Sequence, residues 1–142
     1  KSYLDYGAFT PIQVAAASAL SSDPATIEKV RGIYRKRRDV LVDSMGKAGW
    51  NIPSPEATMF AWAQIPEKLK PLGSLEFSKV LLKEADISVA PGIGFGEYGE
   101  NFVRIGLVEN EHRIRQAARN IKSVFNNADK ILSEYSLDQI DV

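Results

Sequence analysis

The chain has 142 residues, one domain's worth, of which 44% are hydrophobic and 25% charged, enough to bury a core. Its 18 basic and 18 acidic residues cancel, which argues against a dedicated nucleic-acid or membrane-surface binder, since both need a basic excess. The lack of cysteine removes disulfide and thiolate chemistry, and a single histidine removes a multi-histidine metal centre.

No apolar run approaches membrane-spanning length and no signal peptide is visible, so a soluble, cytoplasmic protein is expected. The chain opens without methionine, which points to a piece of a longer protein. The first helix is announced by Thr10-Pro11-Ile12-Gln13. Thr10 can cap, Pro11 suits the first helical position, and Gln13 can reach back as in a capping box. Phe9 and Val14 stand at the positions of a hydrophobic staple, and the alanine-rich run to Leu20 lets another element approach closely.

Asp23 caps the second helix, which the spacing of Ile27, Val30, Tyr34, Leu41 and Met45 extends from about Pro24 to Lys47. Arg35-Lys36-Arg37-Arg38 reads as a solvated face of that helix rather than a phosphate patch, because Glu28, Asp39 and Asp43 balance it. After a proline-marked loop, Thr58 to Ile65 alternates as a strand with both faces largely apolar. A central position, covered on both sides, is therefore expected, with Trp62 and Met59 in the core.

Ser74 can cap a further helix from about Leu75 to Ala85, whose buried face is Phe77, Val80, Leu81 and Ala85. Lys79 and Lys83 form a charged stripe on it. A strand at Ile87–Ala90, a loop containing Gly92, Gly94 and Gly96, and a strand at Phe102–Val108 follow. Dinucleotide binding requires such glycines to open a helix, whereas these lead into a strand, so they serve positive φ values and a tight reversal.

Along the second of those strands Val103, Ile105 and Leu107 share one face, and Phe102, Arg104, Gly106 and Val108 the other. Arg104 sits where alternation would place one more apolar residue, with Gly106 leaving open space beside it. An arginine so placed offers a planar fork of donors to a carboxylate or phosphate, or an ion pair at a domain surface. The last helix is capped by Asn110 and carries a stripe from Ile114 to Leu132, suited to packing on a sheet. His112 is a surface or capping residue of its first turn rather than a catalyst.

Several of these stretches carry a resemblance. Val89-Ala90-Pro91-Gly92, Gly94-Phe95-Gly96, Phe102-Val103-Arg104-Ile105 and Asn110-Glu111-His112-Arg113-Ile114 resemble the C-terminal part of class I/II, fold type I aminotransferases. Thr58-Met59-Phe60-Ala61-Trp62 and the run from Ser2 to Gln13 extend the likeness, which is nearest to the bacterial alanine and LL-diaminopimelate aminotransferase branch. The family's glycine before Thr58 is Ala57 here.

The resemblance implies a small α/β (α+β) domain, with a small, largely antiparallel sheet covered by long helices. Residues 1–142 would form the C-terminal domain of a longer chain, with 1–23 as lead-in and 133–142 as a loose tail. It implies transfer of an amino group between an amino acid and a 2-oxo acid through pyridoxal 5'-phosphate, in a homodimer. It assigns Arg104 to the substrate's α-carboxylate, and Tyr6, Gly7 and Thr10 to the neighbourhood of the partner subunit's active site. The serine-containing lysine motif of the family does not continue after Lys79, so no catalytic residue is expected within this chain and the cofactor is held mainly elsewhere.

A competing expectation is a stand-alone amino-acid-binding or regulatory module, which would use Arg104 and the glycine loop in the same way. An RNA-binding sheet would want a basic face beside Phe60 and Trp62, and no such excess accompanies them.

Overall fold

The computed structural model describes residues 7–137. The chain divides into two units, one ending at Ile33 and the other beginning at Tyr34. The first holds helix α1 (Thr10–Leu20) and the start of helix α2 (Pro24–Lys47). Thr10 is the first residue of α1 and not its cap; Phe9 holds the cap position and makes no side-chain bond. Gln13 donates instead to the Ala8 carbonyl. Pro11 lies in the first turn as expected, and Asp23 accepts from Ala25 N–H at 2.9 Å, capping α2.

From Tyr34 onward the core is built. Leu41 and Met45 of α2 are buried with Ala61 and Ala63 of strand β1 (Phe60–Gln64) and Val103 of strand β3 (Phe102–Gly106). Helix α3 (Gly73–Ala85) adds Phe77, Val80, Leu81 and Ala85. Helix α4 (Glu111–Asn126) adds Ile114, Ala118, Ile121 and Val124, and α5 (Ala128–Leu137) adds Ala128 and Ile131. Trp50 sits among them at 2% exposure, edge-on to Phe77 and Phe125, with its indole N–H donating to the Gln64 carbonyl at 2.7 Å.

The sheet is antiparallel throughout, in the order β1–β3–β2, with β2 reduced to Ala90–Pro91. Helices over a small antiparallel sheet, and antiparallel pairing across the glycine loop, agree with the expected α/β class. The position of β1 does not. Among the described residues it is an edge strand, and only its Ala61 and Ala63 are fully buried, while Trp62 remains 39% exposed and Met59 half-buried. The helical layer covers one face of the sheet, so Phe60, Trp62 and Gln64 point away from the core.

Two local corrections have physical causes. Arg37 is half-buried and donates to the Leu107 carbonyl at 3.0 Å, because it stands one turn before Leu41 and shares its face. The rest of that run is closer to the expected solvated face, with Arg38 paired to Asp39. The last helix is two, parted at Asn127, whose side-chain amide donates to the Ser123 carbonyl at 3.0 Å and competes with the helix ladder. Helix α5 runs to Leu137, into the stretch read as a tail; the residues beyond lie outside those described.

Candidate functional site

The face of the sheet turned from the helices is built by alternation. Antiparallel register sets Phe60 opposite Gly106, Trp62 opposite Arg104 and Gln64 opposite Phe102, and on the other side Ala90 opposite Arg104. Arg104 is therefore flanked on both sides by strands, at the middle of the central one. That placement gives its backbone little freedom.

The space beside Arg104 is not open. Its guanidinium carbon lies 4.1 Å from the centroid of the Phe60 ring and 4.6 Å from that of Phe95. Trp62 continues the aromatic surface, stacked on Phe102 at 5.6 Å and edge-on to Phe95 at 5.7 Å. No carboxylate or carbonyl among the described residues accepts a hydrogen bond from Arg104. The half-buried guanidinium thus rests on ring faces with its donors unmatched among the described residues, and a fork of that shape is chemically able to receive a planar anion.

Phe95 reaches this place on a loop of two 3₁₀ turns, Gly92–Phe95 and Glu97–Gly99, which feed β3 rather than a helix. Gly96 supplies a positive φ of 116° between the turns. Gly92 and Gly99 serve differently, for a Cβ on Gly92 would stand 2.0 Å from the Gly99 carbonyl oxygen. Gly94 has nothing within 4 Å of such an atom and carries no steric demand.

The loop is also fastened from outside. Ser74, expected as a helix cap, lies inside the first turn of α3, and Glu100 does the capping. Glu100 accepts from the Ser74 N–H at 2.9 Å and from its hydroxyl at 3.0 Å, and the Ile93 N–H donates to that hydroxyl at 3.1 Å.

Of the other residues singled out, Tyr6 lies outside the described residues. Gly7, with φ of 93°, and Thr10 are exposed members of the N-terminal unit. Lys79 is an exposed residue paired with Glu76 at 2.6 Å, in keeping with a charged stripe and unlike a lysine awaiting a carbonyl in an apolar pocket. His112 is exposed, and its backbone N–H donates to the Asn110 side chain at 3.1 Å. Phe60, Phe95, Ser74 and Glu100 were missed as parts of the site. The shared face of Phe60 and Arg104 was readable from alternation once the two strands were paired; Glu100 had no local signal.

The aminotransferase class I and II family matches residues 4–121. The chain is 67% identical to AatC of Rhizobium meliloti over 93% of its own length and 33% of that protein's. It is 53% identical to the glutamate-pyruvate aminotransferase AlaC of Escherichia coli, over 93% of this chain and 32% of that protein. Among solved structures it resembles an aromatic aminotransferase from Pyrococcus horikoshii, with a TM-score of 0.79 and 28% identity over 90% of this chain and 34% of that one. The chain thus spans about a third of the length of the relatives it matches.

Proposed function

Since the chain belongs to the aminotransferase class I and II family, we propose that it is the C-terminal part of an enzyme that moves an amino group between an amino acid and a 2-oxo acid, and that Arg104 binds the substrate's α-carboxylate. The observation that carries this reading is the guanidinium itself: half-buried, seated on Phe60 and Phe95, and without an acceptor among the described residues. A two-point pair between a planar fork and a carboxylate fixes orientation as well as position, which a lysine does poorly.

Pyridoxal phosphate is implied by the family, and the described residues do not fit it. Lys79 is held by Glu76 on an exposed helix face, and Lys83 lies beside Glu84 there. The cofactor belongs, on this proposal, to the part of the parent enzyme that this chain does not span. What the present residues contribute is binding and orientation of the substrate.

We assign the parent to the cytoplasm and to a homodimer, with the stretch around Tyr6, Gly7 and Thr10 beside the partner subunit's active site. Support comes from α1, which has no charged residue, buries none of its residues and exposes Ile12, Val14 and Leu20. Among the described residues no helix is long and apolar enough to cross a membrane.

The test is Arg104→Lys in the full-length enzyme, assayed with amino acids and with amines that lack a carboxylate. Loss of a charge-assisted pair that leaves its partner unpaired costs about 2–5 kcal/mol. The expected drop in kcat/KM for amino acids is about 30-fold to several thousand-fold, with cofactor loading intact. Amines should lose little. Equal losses for the two substrate types would assign Arg104 to the fold instead.

A further inference from the structure

The two rings against Arg104 arrive by different routes. Phe60 comes from β1, the neighbouring strand, where the sheet's own hydrogen bonds fix its position. Phe95 comes from the glycine loop and is 53% exposed, so packing alone gives it little support. Its placement depends on the loop backbone. That backbone is fixed at two points: the close approach of Gly92 to Gly99, and the Ser74 hydroxyl, which takes the Ile93 N–H while donating to Glu100. Ser74 is fully buried, and neither Ser74 nor Glu100 makes a hydrogen bond with Arg104.

A long arginine side chain loses rotamer freedom when it grips a carboxylate. A guanidinium already resting on aromatic faces has surrendered part of that freedom before the substrate arrives. We infer that Phe95 is a positioning residue for Arg104, and that the Ser74–Glu100 junction is the latch that keeps its ring over the guanidinium. This rests on Arg104 being the carboxylate fork. Phe95 then acts on carboxylate substrates alone and on binding more than on turnover.

The experiment compares wild type with F95L, F95Y, S74A and R104K in the full-length, cofactor-loaded enzyme. L-Alanine and ethylamine, its counterpart without a carboxylate, serve as probes, and kcat and KM are measured separately. Removing one cation–π face predicts that F95L raises KM for L-alanine about 3- to 30-fold with kcat retained. Ethylamine should be unaffected, F95Y should restore the wild-type KM, and S74A should shift KM in the same direction as F95L. An unchanged KM in F95L, equal losses on both probes, or failure of F95Y to restore binding would overturn the inference. If F95L fails to load cofactor, F95M is judged by the same criteria. The R104K arm separates the two levels: carboxylate preference surviving R104K removes the reading beneath, whereas preference lost in R104K but kept in F95L removes only the role of Phe95.

Discussion

Replacing Gly92 by alanine probes the glycine loop by sterics alone, and Gly94 supplies the control. A Cβ on Gly92 would stand 2.0 Å from the Gly99 carbonyl oxygen and 2.5 Å from that of Phe102. Both obstacles are backbone, so no side chain can swing aside; the loop or the start of β3 must move. Forcing extra atoms into a packed site costs typically about 1–3 kcal/mol. Contacts this short belong at the upper end, so about 3 kcal/mol is expected for Gly92→Ala. Gly94→Ala meets nothing within 4 Å and should fall between neutral and a gain of about 0.4–1 kcal/mol from a less flexible unfolded chain. Urea denaturation followed by far-ultraviolet circular dichroism reads both. With a slope of about 1–3 kcal/mol per molar, the midpoint of Gly92→Ala should fall by about 1–3 M while that of Gly94→Ala holds or rises. Equal midpoints for the two variants would show that the close approach of Gly92 to Gly99 does not constrain the loop.

The remaining expectations concern the layer behind the site. Asn110→Ala removes the acceptor for the His112 and Arg113 N–H groups and should cost about 1 kcal/mol in the same denaturation assay; a change below about 0.3 kcal/mol would mean that water replaces the cap at no loss. Trp50→Phe takes away a buried indole bonded to Gln64 and should cost about 2–4 kcal/mol, whereas Trp62→Phe, on the exposed face, should stay within about 0.5 kcal/mol. If the two tryptophan variants unfolded together, β1 would be the doubly covered strand that its composition suggested.

That contrast shows which parts of the molecule the sequence carries locally. Helical spacing in Ile114, Ala118, Ile121 and Val124 reports a single buried face, and the structure buries that face. Alternation in β3 likewise separates Val103 from Arg104, because each residue's side is fixed by the pleat itself. The order of strands is not local. A run such as Phe60-Ala61-Trp62 is apolar on both faces whether it lies at the middle of a sheet or at its edge, and only the pairing with β3 decides. Trp62 was misplaced for that reason.

The site divides in the same way. Arg104 was legible because a charge interrupts an apolar strand, a departure that needs no knowledge of the rest of the chain. Its surroundings were not, since the ring of Phe95 is brought to it by a loop whose shape depends on Ser74, far earlier in the chain, and on Glu100. The G-x-G-x-G spacing marks where the chain turns and says nothing about which side chain the turn delivers. The latter is decided by two facts that sequence periodicity does not hold: the backbone contact of Gly92 with Gly99, and a carboxylate that caps α3 while its serine partner receives the loop. An arginine can therefore be found by inspection of one strand, while the ring contacts that hold it are a property of three elements together.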